Sequence, residues 1–279
     1  MLLNDNTKLS HVTLRVQDLE NMTQFYTQII GLKIINKQDD RVMLGVGKQP
    51  IVELVHHRDA QLPSEHYTGL YHLAILMPDE KDLGQILYHF SREHYQISGA
   101  GDHDYSQALY MNDPEGNGIE IYADRPRETW VIHDDGTIVG GTKAVDVQRL
   151  LSLVDKESWS GMPEGTVLGH VHLQLNDIMA ARSFYIDTLG YELKTDMGHA
   201  IFISKNGYHH DIGANVWAGN NIQKLPSNIT GMESFTVQVD NLEAVITAFK
   251  ENKDYSIISI DKNLIVEDKA GIRIQFTVL

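Results

Sequence analysis

Apolar and polar positions alternate from His11 to Val16, with Val12, Leu14 and Val16 on one face and His11, Thr13 and Arg15 on the other. That period predicts a half-buried strand. Asp18 then stands where an N-cap belongs, and Met22, Phe25, Tyr26, Ile29 and Ile30 fall at helical spacing before Gly31, a residue suited to stop a helix. Short strands are predicted near 33–38, 42–46 and 50–55. The pattern repeats from Tyr71 to Met77, followed by a helix over about 79–94 and strands near 95–98, 107–111 and 118–122. Each unit reads β-α-β-β-β.

Internal repetition extends this to the whole chain. LSHVTLRVQDLENMTQFYTQIIGLKI, residues 9–34, matches LGHVHLQLNDIMAARSFYIDTLGYEL, residues 168–193, without a gap. His11 and His170, Asp18 and Asp177, Phe25 and Phe184, and Gly31 and Gly190 all differ by 159 (170 − 11 = 159). More weakly, GLYHLAILM from Gly69 matches GMESFTVQV from Gly231, and DPEGNGIEIY from Asp113 matches DKAGIRIQFT from Asp268. The fold class is therefore α+β, with four βαβββ modules curling in pairs into two open barrels. Pairing within each half is expected: a domain over 1–127, a linker over 128–166 with a helix near 144–154, and a second domain over 167–279.

Composition narrows the chemistry. The chain has 279 residues with 23 Lys+Arg against 38 Asp+Glu, a net charge of −15. It lacks the basic stripe that phosphates require, so nucleic acid and anionic membranes are poor partners. With no cysteine, disulfides and thiolate metal sites are excluded. The start of the chain has no basic, apolar leader and no stretch approaches the ~20 apolar residues of a membrane span; a cytoplasmic protein is expected. Exposed sheet edges leave room for a homodimer.

The 14 histidines then become informative by placement. His11 and His72 occupy equivalent first strands of modules one and two. Glu120 lies on the inner face of the last strand of module two, between Ile119 and Ile121, where an unpaired carboxylate is costly. His11, His72 and Glu120 would form a two-histidine, one-carboxylate metal site. Such a site leaves cis positions open and suits Fe(II) with a chelating substrate and dioxygen. Glu53 is the counterpart of Glu120 in module one. As a fourth ligand it would favour manganese, nickel or zinc and Lewis-acid chemistry. A lone strand histidine is more often a satisfied polar residue, and Glu53 can equally be a solvated carboxylate.

Residues 101–120 read GDHDYSQALYMNDPEGNGIE. Gly101, His103, Leu109, Tyr110, Asp113, Pro114, Gly116 and Glu120 fall at the spacing of the extradiol ring-cleaving dioxygenase signature. With the paired βαβββ modules, the chain resembles the vicinal oxygen chelate superfamily of glyoxalases, bleomycin-resistance proteins and dioxygenases. Ile121–Trp130 is similar to bacterial two-domain catechol dioxygenases. The resemblance implies an aromatic diol and O2 as substrates, Fe(2+) as cofactor, and His103 and Tyr110 contacting the substrate oxygens. It also implies an acid/base histidine after the last strand of the odd module, His56 or His57. The signature stands in the N-terminal half, whereas well-known extradiol enzymes carry it in the C-terminal half. Ser234 matches His72 and Gln275 matches Glu120, so His170, His172, His209 and His210 read as a degenerate second site centred on His170 and His210. Two alternatives stay open: a glyoxalase-like isomerase or lyase with a four-ligand site, and a non-catalytic small-molecule-binding protein.

Overall fold

A computed structural model describes residues 2–155, 159–251 and 255–279. Module one contributes β1 (Lys8–Val16), β2 (Lys33–Lys37), β3 (Arg41–Val46) and β4 (Gln49–His56). Module two contributes β5 (Tyr67–Met77), β6 (Gly99–Asp102), β7 (Ser106–Asn112) and β8 (Gly118–Asp124). The strand expected near 95–98 thus forms a few residues later, after the chain leaves helix Glu80–Arg92. Module three holds β9 (Val167–Gln174), β10 (Glu192–Asp196), β11 (Ala200–Ser204) and β12 (Ile212–Asn215). After the short β13 (Gln223–Lys224), module four holds β14 (Gly231–Val239), β15 (Ser256–Ile260), β16 (Leu264–Glu267) and β17 (Arg273–Val278). In the segment joining β8 to β9, Val147–Ser152 is helical, capped by Asp146.

The modules form two curled mixed sheets, the α+β architecture expected, but the partners differ. One sheet runs β15-β16-β17-β14-β1-β4-β3-β2, joining modules one and four. The other runs β10-β11-β12-β9-β5-β8-β7-β6, joining modules two and three. The division into 1–127 and 167–279 therefore does not follow the sheets. The reason is physical: each module closes its own first and last strands in parallel and leaves the other edge of its first strand free. All four first strands carry the same apolar alternation, so hydrophobic pattern cannot choose between partners. The choice falls to β1 with β14 and β5 with β9, both antiparallel.

Modules one and two instead meet through turns and helices. The Glu115 carboxylate accepts from the backbone amides of Gln17 and Asp18 at 2.8–3.0 Å. The Tyr26 hydroxyl donates to buried Asp113 at 3.1 Å. The repeat reproduces this across modules three and four, where Tyr185 donates to Asp268 at 3.2 Å. These pairs explain why tyrosine and aspartate recur. A buried carboxylate needs donors, and Asp113 also accepts from the amides of Glu115 and Asn117.

The faces of the module two–three sheet are cleanly divided. Leu73, Ile75, Leu109, Ile119, Ile121, Val171 and Leu173 join the main core. Ala74, Ala108 and Tyr122, with Leu76 and Tyr110 against them, form a separate small cluster on the opposite face. That second cluster is the floor of the cup. No helix among the described residues is long and apolar enough to cross a membrane.

Candidate active site

Register builds the site. Ala74 in β5 pairs with Glu120 in β8 on one side and with His170 in β9 on the other. His72 lies two residues along the same face. Glu120 and His170 thus start two strand spacings apart, about 10 Å, and lean toward each other over a small alanine. His72 Nε2 comes within 2.9 Å of Glu120 Oε2, and His170 Nε2 within 3.4 Å. One ligand atom from each of the three residues lies within 4.8 Å of the others, and all three side chains are buried.

This corrects the expected ligand set. His72 and Glu120 are together, but His11 sits in the other sheet and His170 takes its place. His11 there is matched by hydroxyls, with Ser10 Oγ 3.0 Å from Nδ1 and Thr236 Oγ1 3.3 Å from Nε2. Glu53 lies in that same cup. It accepts from Thr13 at 3.1 Å and pairs with Arg41 at 3.0 Å, which leaves it no role beside Glu120. His11 and Glu53 are thus both partnered within the module one–four cup. His57 is also there, 3.6 Å from Glu233, and His56 ends β4 in the same sheet. Neither can serve as an acid/base at the module two–three cup.

The donors fit a divalent transition metal. His72 Nε2 and His170 Nε2 have only the Glu120 carboxylate beside them, and buried His170 Nδ1 has no hydrogen-bond partner among the described residues. Buried polar atoms in that state are costly, and a metal would satisfy the converging ones. Burial opposes ionisation of Glu120, yet His170 and His72 outweigh it and hold the carboxyl well below its usual range. Burial lowers His170 to about 4 against the pull of Glu120. An ionised Glu120 and a neutral His170 are in the protonation states that metal binding requires.

The fourth corner is empty of side chain. Two residues past each first-strand site position, the register pairs Thr13 with Glu53, Ala74 with Glu120, His172 with Gly213 and Thr236 with Gln275. Gly213 is thus the module three counterpart of Glu120. A Cβ there would come within 3.0–3.2 Å of the His172 ring. His172 itself is committed elsewhere, since Asn215 Nδ2 lies 3.0 Å from its Nε2. The cup holds three candidate ligands, with the cavity on their remaining side.

The signature residues surround that side. His103 Nδ1 is 2.8 Å from the carbonyl of Gly141, which can only accept, so Nδ1 carries the proton. Nε2 then accepts from the Tyr110 hydroxyl at 2.6 Å. The spacing Gly-x-His has a steric cause: a Cβ on Gly101 would lie 3.0 Å from His103 Nε2. Tyr110 pairs with Glu120 across β7 and β8, and burial together with that carboxylate raises its hydroxyl pKa. The segment joining the halves crosses the cup here. Gly140 packs against Tyr105, where an added Cβ would lie 2.5 Å from Cε1 of the ring.

A relay stands on the opposite wall. His209 Nε2 donates to Asp124 Oδ1 at 2.9 Å, and His209 Nδ1 lies 2.7 Å from His210 Nδ1. With His209 protonated on Nε2, His210 must donate from Nδ1. Its Nε2 is left as an acceptor on a ring that lines the cavity. Tyr208 donates to the second oxygen of Asp124 at 2.7 Å, and Tyr122 lies 2.8 Å from Tyr208. The residues read as a degenerate second site therefore belong to this one. The 159-residue repeat was the available signal, because it marks His170 as equivalent to His11. It could not say which module faces module two.

The buried histidines make the metal-free fold acid-sensitive. Burial lowers His170 to about 4 and pushes His172 and His210 well down. Unfolded histidines titrate near 6.5. The unfolded chain therefore binds more protons below that pH, and stability falls as pH drops from about 6.5 toward 4. Burial raises Asp113 and Asp268 to about 6. They act oppositely and offset part of this. Urea midpoints of metal-free protein should fall from pH 7 to pH 5; a midpoint that is flat or rises would contradict it.

A sequence profile of the Glyoxalase/Bleomycin resistance protein/Dioxygenase superfamily matches residues 8–121. The chain is 38% identical to Catechol-2,3-dioxygenase of Bacillus subtilis (strain 168) over 284 aligned positions, covering 99% of each protein. It is 28% identical to a lactoylglutathione lyase of Arabidopsis thaliana over 42% of this chain and 44% of that one. In fold it is similar to the crystal structure of a putative dioxygenase from Bacillus subtilis subsp. subtilis str. 168 (TM-score 0.66, 12% identity, 97% of this chain and 84% of that one). It is also similar in fold to glyoxalase I from Zea mays (TM-score 0.59, 17% identity, 98% and 92%). With the four-module fold and a His/Glu/His group in its cup, the chain belongs to the glyoxalase, bleomycin-resistance and dioxygenase superfamily.

Proposed function

We propose that the protein is an extradiol ring-cleaving dioxygenase. It would take a catechol-type substrate and O2, break the ring carbon–carbon bond beside the diol, and leave both oxygen atoms in the product. The observation that carries this reading is the three-ligand cup, to which Gly213, at the register position equivalent to Glu120, adds no fourth donor. A four-ligand set, as the glyoxalase-like alternative needs, would require a carboxylate or another donor at that position. His72, His170 and Glu120 would hold ferrous iron, which supplies chelation of the diol and electron transfer to O2.

The protein's own groups handle orientation and protons. His210, held by His209 and Asp124 with Nε2 free, is placed to accept a proton from a diol hydroxyl. Tyr110, kept protonated by burial beside Glu120, gives its hydrogen bond to His103, so its hydroxyl oxygen can accept a hydrogen bond from a substrate hydroxyl. His103, fixed by the Gly141 carbonyl, accepts from Tyr110 and so sets the direction of its hydroxyl. Tyr105 and the Gly140–Gly141 crossing close the site against water.

Metal analysis after anaerobic purification, followed by oxygen-electrode assays with catechols, tests the reading. Bound iron with oxygen consumption equal to catechol cleaved is expected. Oxygen-independent turnover of a thiol adduct of a ketoaldehyde, with no uptake on any catechol, would replace it with the isomerase reading.

A further inference from the structure

The cavity above Glu120 has a volume of about 400 Å³. That lies within the roughly 300–1,000 Å³ of pockets that enclose drug-sized ligands, and a single dihydroxylated ring would occupy only its inner end. The remaining space has a continuous aromatic wall. The His72 ring meets His172 at 4.8 Å, and His172 meets Trp217 at 5.3 Å between centroids. Tyr71 bridges them, edge-on to His172 and to Trp217 at 5.1 Å each. The wall runs from a candidate ligand to the mouth, where Tyr71 and Trp217 are 42% and 46% exposed.

Two features show that this wall is built. The β5–β9 register slips between Leu70 and His72, so the consecutive residues Tyr71 and His72 both line the cavity. Bulges of this kind re-aim side chains beside active sites. On the facing strand, fully buried Asn215 holds His172 with its amide nitrogen, and its Oδ1 accepts from the Trp217 backbone amide at 3.0 Å.

The charge pattern selects further. Among the described lining residues there is no lysine or arginine, and the sole carboxylate is Glu120. A substrate carboxylate in the outer cavity would lose its water with no lysine or arginine there to pair it. Aromatic or alkyl surface would meet rings it can stack on.

Resting on the dioxygenase reading, we propose that the substrate is an uncharged catechol with a hydrophobic substituent, the substituent lying against Tyr71 and Trp217 at the cavity mouth. Iron-reconstituted protein should cleave the better of 3- and 4-phenylcatechol with kcat/KM at least tenfold above catechol. It should cleave 4-ethylcatechol at least a hundredfold better than 3,4-dihydroxyphenylacetate. Without oxygen, phenylcatechol should quench tryptophan fluorescence. Trp217→Phe, at a half-exposed position, should remove that quench and lower the phenylcatechol-to-catechol ratio of kcat/KM about tenfold. Equal cleavage of charged and uncharged catechols overturns the proposal, as does a Trp217→Phe protein with quench and ratio unchanged; both leave the dioxygenase reading standing. A protein that cleaves no member of the panel overturns the reading and this proposal with it.

Discussion

Replacing Glu120 with glutamine is expected to lower metal affinity by more than about 100-fold, since even outer partners of metal ligands cost 10–100-fold, and to abolish ring cleavage. Glutamine keeps the volume but removes the anion on which His72 and His170 converge at 2.9 and 3.4 Å. The buried imidazoles then face a neutral amide, and a divalent ion would enter the cup without charge compensation. His170→Ala should do the same by removing one of the three donors. His11→Ala is the control, because His11 lies in the other sheet between Ser10 and Thr236. It should leave bound metal and turnover unchanged. Metal per chain after exhaustive dialysis, measured beside oxygen uptake, reads all three. Metal lost from His11→Ala but kept by His170→Ala would mean that modules one and two share the cup.

The second large effect is expected at Gly213. Gly213→Ala should be destabilised by about 1–3 kcal/mol, the usual cost of forcing extra volume into a packed site. Its Cβ would press within 3.0–3.2 Å of three atoms of His172. That ring packs on His72 at 4.8 Å, so some activity should go with the stability. Gly213→Glu carries the same crowding and adds a carboxylate at the register position equivalent to Glu120. It should bind metal at least as tightly as Gly213→Ala while losing oxygen-dependent cleavage by a further factor of more than ten. Thermal melts separate the steric part, which both variants share, from the coordination part, which only the glutamate has. Equal activity in the two variants would show that the lack of a fourth donor at Gly213 is irrelevant to the reaction.

Much of this site was legible in advance because local physics wrote it. The alternation around Ile119–Ile121 put Glu120 on the inner face, and the structure finds it there with Tyr110 paired opposite. The turn at Asp113 and the spacing from His103 to Tyr110 are short-range features. They came out as a buried capped turn and a direct hydrogen bond. His210 escapes a local reading for the opposite reason. Its value depends on Asp124, 86 positions away, reached through His209, and no local pattern announces such a contact.

By itself the sequence determined four βαβββ modules, the inward face of each first strand, and the residue types a metal could use. Those follow from periodicities of two and 3.6 residues and from a repeat that preserves them. Only the tertiary structure decided which modules share a cup. The first strands of all four modules expose similar edges and bury similar apolar faces, so either pairing would satisfy hydrophobic pattern and backbone hydrogen bonding alike. The contacts that accompany the observed choice are long-range and specific. Arg15 donates to the carbonyls of Ile229 and Pro226, Glu115 holds the amides at Gln17 and Asp18, and β5 lies along β9. That choice put His170 beside Glu120 and left His11 among hydroxyls.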